Sequence, residues 1–107
     1  MRIEHLALWT KDLERLKAFY TKYFGAAAGP KYTNPSKGFE SYFLEFSSGA
    51  RLELMTAADL SSGCPDEKRA GPAHFAVSAG SKEAVVELTG LLRRDGLAIV
   101  SSPPGNG

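Results

Sequence analysis

Three residues of this 107-residue chain combine types and spacing that can do chemistry: His5, Glu53 and His74. The two histidines are the only ones in the chain. In IEHLALW, alternation puts Ile3, His5, Ala7 and Trp9 on one side and Leu6 and Leu8 on the other. In ARLELMT, Leu52 and Leu54 share one face while Arg51, Glu53 and Met55 share the opposite one. In AHFAVSAG, Phe75 and Val77 oppose His74 and Ala76. Each of the three polar residues therefore projects away from apolar neighbours that should pack under a helix. Two neutral imidazoles and a carboxylate on one concave face can hold a divalent ion at about 2.0–2.2 Å and leave positions for water. Taken singly, a histidine or glutamate on a strand is an ordinary surface residue; the case rests on their joint placement. Trp9, Phe39, Arg51 and Met55 flank this face and can line a pocket, with Arg51 suited to an anionic substrate. Glu45 reads as a strand-surface carboxylate. No organic cofactor is expected, and no catalytic acid or base is assigned.

The elements that must position these residues follow from periodicity. The segment from Ile3 to Trp9 reads as a strand. Leu13, Leu16, Phe19, Tyr20, Tyr23 and Phe24 then recur at steps of three and four, with Thr10 or Asp12 as N-cap and Gly25 as the C′ residue, which predicts an amphipathic helix. After a weak, Ala-rich stretch around Ala26 to Tyr32, GFESYFLEF and ARLELMT read as a hairpin across Ser47, Ser48 and Gly49. Residues 57–72 carry Gly, Pro, Ser and charge without apolar period and read as a linker. The pattern then restarts: AHFAVSAG as a strand, Ser81 as the cap of a helix with Val85, Val86, Leu88, Leu91 and Leu92 as its stripe, Gly96 as its end, and LAIVSS as a further strand.

The restart is an internal repeat. His5 corresponds to His74, Ala7 to Ala76, Leu8 to Val77, Asp12 to Ser81, Leu16 to Val85 and Phe19 to Leu88, all at one offset of 69 residues. Both histidines thus occupy one place in two equivalent units. A second copy of the hairpin would begin just beyond Gly107, so the second unit is expected to lack its last strands here, and another chain could supply them.

Length and composition bound the rest. One domain fits this length, with a first module over 1–56, a linker over 57–72 and a partial second module over 73–107. Hydrophobic residues at 43% and charged ones at 23% describe a globular chain, and no apolar run approaches the roughly 20 residues of a membrane span. Thirteen basic against twelve acidic residues give a net charge of +1, without the drive toward nucleic acid that a basic chain has. The N-terminus lacks a secretion signal. The one cysteine, Cys64, cannot form an internal disulfide, has no basic neighbour in SSGCPDE, and reads as a loop thiol in a reducing compartment. A cytoplasmic protein with a small-molecule substrate, no nucleic-acid or membrane partner, and a homodimer paired through open strand edges are expected.

The segments IEHLALWTKDLERLKAFYTKYFGA, GFESYFLEFSSGARLELMT and AHFAVS together resemble the vicinal oxygen chelate superfamily. That group holds glyoxalase I, extradiol dioxygenases, fosfomycin-resistance thiol transferases, methylmalonyl-CoA epimerase and the bleomycin-resistance proteins. The resemblance implies an α+β fold of two βαβββ modules forming an open barrel around a metal, with ligands on the first and last strands of each module. By position His5 and Glu53 belong to the first module and His74 to the second, and the fourth ligand lies past Gly107. It also implies a divalent ion (zinc, nickel, iron, manganese or cobalt) activating neighbouring substrate oxygens for lyase, isomerase or dioxygenase chemistry. The alternative is a non-catalytic small-molecule or antibiotic binder of the bleomycin-resistance type. HLALWT carries no arginine of the sort with which glyoxalase I holds glutathione, so the resemblance points to the general chemistry.

Overall fold

The computed structural model describes residues 1–61, 70–72 and 74–100, which divide into two units, Met1–Cys64 and Pro65–Gly107. The first unit is built as β1 (His5–Trp9), α1 (Leu13–Phe24), β2 (Ala27–Ala28), β3 (Tyr32–Asn34), a short 3-10 turn (Pro35–Lys37), β4 (Phe39–Glu45) and β5 (Arg51–Ala57). The second holds α2 (Lys82–Arg94). Among the described residues no helix is long and apolar enough to cross a membrane.

Helix α1 begins where the sequence places its cap. The Asp12 side chain accepts from the Arg15 N–H at 3.1 Å, satisfying one of the donors a first turn leaves open. Thr10, the other cap candidate, supports Asp12 instead, its hydroxyl accepting from the Asp12 N–H at 3.1 Å. Gly25 ends the helix at φ 67°, in the left-handed region where a side chain is strained. Leu13 is buried, and Leu16 and Tyr20 pack beside it against the sheet. Phe19, Tyr23 and Phe24 follow a different course. The Phe19 ring meets those of Tyr23 and Phe24 at 5.2 and 5.7 Å, along the helix.

The predicted hairpin forms as β4 antiparallel to β5, with Phe43 opposite Glu53 and Leu44 opposite Leu52. Strand β1 lies parallel to β5 on its other side, Ala7 opposite Glu53, so the order is β1-β5-β4-β2, with β3 also on β4. A parallel pair cannot be joined by a tight turn; here α1, β2, β3 and β4 make the connection.

Strand β2 falls in the stretch read as merely Ala-rich, and β3 begins at the last residue of that stretch, Tyr32. Both pair with β4, and their registers differ by one residue: Ala28 faces Leu44, whereas Tyr32 faces Ser41. They form one interrupted edge strand with an inserted residue, broken at Gly29, Pro30 and Lys31. Ala, Gly and Pro carry little strand propensity, and Pro is accepted at an edge, so the signal was weak. The open edge of β4 supplies the hydrogen bonds, as in Gly29 N–H to the Phe43 carbonyl at 2.9 Å.

Side-chain alternation then divides the sheet. Tyr42, Leu44, Leu52 and Leu54 form the buried core with Leu13 and Ala26, and Leu8 packs onto it. The opposite face carries His5, Ala7 and Trp9 from β1, Arg51, Glu53 and Met55 from β5, and Phe39, Ser41 and Phe43 from β4. One polar clamp fastens α1 over the core: the Tyr42 hydroxyl donates to Glu14 at 2.9 Å, and Lys31 Nζ lies 3.1 Å from Glu14 and 3.3 Å from Glu40. Lys17 Nζ stands 4.5 Å from the Tyr42 ring centre, a cation over an aromatic face.

In the second unit α2 is capped as expected, Ser81 accepting from the Ala84 N–H at 3.0 Å, and Gly96 at φ 85° follows its end. None of its residues is fully buried; Val85, Leu88, Leu91 and Leu92 are half-buried and Val86 is exposed. The strands expected over AHFAVSAG and LAIVSS are a correction: residues 74–79 and 97–100 form no ladder, and Phe75 and Val77 stay about 40% exposed. A strand exists only by hydrogen-bonding to a neighbour, and among the described residues of this unit none runs alongside. The reading of Cys64 falls outside the described residues, as does half of the linker, residues 62–69.

Among the described residues Leu54 and Leu44 are the largest side chains with no exposure, so Leu54→Ala should cost about 2–5 kcal/mol in urea unfolding, while Val100→Ala, at an exposed position, should stay within about 0.5 kcal/mol. The Tyr42 hydroxyl and Lys31 hold the Glu14 carboxyl below the usual carboxylate range. A depressed folded pKa contributes stability above that range and loses it as the pH falls through it. The melting temperature of wild type should accordingly drop more on acidification than that of Glu14→Gln.

Candidate metal centre

His5 and Glu53 are two residues offset on adjacent parallel strands, since His5 pairs with Arg51 and Ala7 with Glu53. Long side chains bridge that diagonal, and the small Ala7 leaves the space between them clear. His5 Nε2 stands 3.8 Å from Glu53 Oε1, beyond hydrogen-bond range. Two ligands of one divalent ion at about 2.1 Å stand roughly 3.0–3.4 Å apart in octahedral or tetrahedral geometry, so closure by roughly 0.4–0.8 Å brings this pair to ligand spacing. The donor set fits a borderline ion such as zinc or a first-row metal: one imidazole nitrogen and one carboxylate oxygen. The His5 side chain is 40% exposed and that of Glu53 19%, so both open onto solvent from the sheet face.

The His5 ring is held from two further directions. Phe43 meets it edge-on with centroids 5.3 Å apart at 83°, and Nδ1 lies 2.9 Å from Glu4 Oε1. Glu4 is in turn gripped by Arg51, whose Nε and terminal nitrogen donate to its two oxygens at 2.7 and 2.5 Å. These bonds, led by the one from Arg51, hold the Glu4 carboxyl down at about 2 and push the Arg51 guanidinium up. The Arg51 carbon also sits 4.1 Å from the Phe43 ring centre. Arg51 is thus committed to Glu4 and Phe43. Sequence reasoning passed over Glu4 because neighbours in a strand face opposite ways. It reaches His5 because it precedes the first residue of β1, and the acidic residue directly before a candidate ligand was the available signal.

The remaining candidates lie elsewhere on the same unit or in the other one. Phe39 lines an open groove of about 590 Å³ with Tyr32, Asn34, Lys37, Ala57 and Asp59. The groove lies four residues beyond Glu53 along β5, about 13 Å at the rise of a strand. Trp9, 56% exposed, stacks edge-on against Phe39 with centroids 6.3 Å apart, and Met55 pairs in register with Trp9. Glu45 is exposed at the other end of β4. His74 is an exposed residue of the second unit outside any strand. Among the described residues no three His, Cys, Asp or Glu side chains are gathered as one metal cluster.

Residues 4–107 match the model of one family, and the chain belongs to it: the Glyoxalase/Bleomycin resistance protein/Dioxygenase superfamily. Among solved structures it is similar to a trypanothione-dependent glyoxalase I from Leishmania major, at 26% identity and a TM-score of 0.77, over 95% of this chain and 71% of that one. A possible glyoxalase from Bacillus cereus is 25% identical with a TM-score of 0.66, over 90% of this chain and 75% of the other. A glyoxalase I mutant from Zea mays shares the fold at 22% identity and a TM-score of 0.66, this chain spanning 33% of its length. No curated protein matches the chain.

Proposed function

We propose that this protein is a divalent-metal-dependent enzyme acting on a small molecule with two neighbouring oxygens, by lyase, isomerase or dioxygenase chemistry. The observation that carries the reading is the 3.8 Å approach of His5 Nε2 to Glu53 Oε1 on the open sheet face. Likeness to a glyoxalase I and to a possible glyoxalase, at 26% and 25% identity, favours lyase-type chemistry among the three. His74 enters as a third ligand from the repeat in the sequence, at the position equivalent to His5. A bound divalent ion supplies Lewis-acid polarisation of substrate oxygens and needs open coordination positions for them.

The chain's own residues do the rest. His5 and Glu53 offer a neutral nitrogen and a single negative charge, so the protein only part-neutralises a dication and leaves it electrophilic. Phe43 and Ala7 give that end of the face an apolar floor, and Trp9 and Phe39 offer aromatic surface at the other. A second reading, a binding protein of the bleomycin-resistance type, is favoured by the groove at Phe39 and Tyr32, which could accept an apolar ligand without any metal.

The first test is metal uptake. Purified protein should take up nickel, zinc, iron, manganese or cobalt in stoichiometric amount. His5→Ala, Glu53→Ala and His74→Ala should each weaken binding by at least ~100-fold, above the ~10–100-fold typical of outer partners, whereas Glu45→Ala should change it little. Affinity should fall as the pH is lowered, because each ligand must be deprotonated to bind. Protein that takes up none of these ions under calorimetric titration removes the enzyme reading in favour of the binding one.

We also propose a homodimer. Strand β1 is the terminal strand of the sheet, and an open strand edge invites pairing with a second copy. Light scattering should give twice the chain mass, and a stable monomer at micromolar concentration would contradict it.

A further inference from the structure

Glu4 takes no part in the ligand set above, yet it makes the closest side-chain contacts around it. Arg51 binds it three ways. Its Nε and a terminal nitrogen donate to the two carboxylate oxygens at 2.7 and 2.5 Å, and its backbone N–H donates to the Glu4 carbonyl at 3.1 Å. The guanidinium is itself seated on the Phe43 ring, and it engages both oxygens of the carboxylate. An ionised carboxylate can only accept hydrogen bonds. The 2.9 Å contact to His5 Nδ1 therefore requires the proton of a neutral ring to be on Nδ1, which leaves the lone pair on Nε2, the nitrogen beside Glu53.

We propose that Glu4, held by Arg51, is the positioning residue of the site: it selects the Nδ1–H tautomer of His5 and so presents Nε2 to a divalent cation next to Glu53. A second carboxylate behind a ligating histidine fixes its orientation and raises its basicity, and losing such a partner weakens metal affinity about 10–100-fold. The inference rests on the metal reading for its purpose, but the tautomer can be measured without any metal. An exposed Glu4–Arg51 ion pair with a purely structural role would leave both tautomer and affinity unmoved.

The test uses the full chain labelled with nitrogen-15, in long-range proton–nitrogen correlation spectra at a pH where the ring is neutral, with His74→Ala to assign the two histidines. Wild type should show His5 protonated on Nδ1; Glu4→Ala should shift the ring toward a mixture of tautomers. In calorimetric titration with zinc alone, Glu4→Ala should bind about 10–100-fold more weakly than wild type, and Glu45→Ala should bind as wild type does. A wild-type ring protonated on Nε2, a Glu4→Ala tautomer identical to wild type, or equal zinc affinities overturns the proposal. The wild-type spectrum alone decides the tautomer should Glu4→Ala fail to fold. If wild type takes up no zinc while the tautomer still responds to Glu4→Ala, the positioning of the ring is upheld and the metal reading is what fails.

Discussion

The three-stranded arrangement of β1, β5 and β4 is the constraint on which the first unit depends. Strand residues alternate between faces, so once Leu52 and Leu54 lie beneath α1, Arg51, Glu53 and Met55 are obliged to face away from it. Register propagates the same division sideways: Leu8 joins the core beside Leu54 while Trp9 turns to the open face beside Met55. A slip of one residue between β1 and β5 would turn His5 toward the core and Leu8 out of it. The hydrophobic demand for a core and the placement of the donor pair are therefore one requirement.

That coupling explains why an open face can carry polar groups at little cost. His5 and Glu53 remain partly in water, which spares them the penalty of burying a charge without a partner. Their geometry is set by neighbours with no reactive role. Phe43 serves twice, packing perpendicular to the His5 ring and carrying the Arg51 guanidinium on its face. The negative face of an aromatic ring attracts a cation. Substituting it would disturb both the ligand and the residue that holds Glu4.

The two halves of the chain differ in how much support they give their side chains. In the first unit every strand has a ladder partner and the core has side chains with no exposure. In the second, α2 is well capped but its apolar stripe is only half-buried. Capping and propensity are local and act without a partner, whereas burial and strand formation do not.

The same distinction separates the features legible in local sequence pattern from those made by contacts between distant parts of the chain. Periods of two and of three to four residues, the Asp12 and Ser81 caps and the glycine at each helix end placed β1, α1, the β4–β5 hairpin and α2, because these signals live within a few residues of one another. The same alternation placed His5 and Glu53 on one face. Strands β2 and β3 were hidden, since Ala27, Ala28 and Tyr32 become strands through the free edge of β4, whereas residues 74–79, expected as a strand, form no ladder among the described residues. Glu4 was hidden for a related reason. Its partnership with His5 is made by Arg51, forty-seven residues away along the chain, and no local pattern records which distant cation will draw a carboxylate out of alternation.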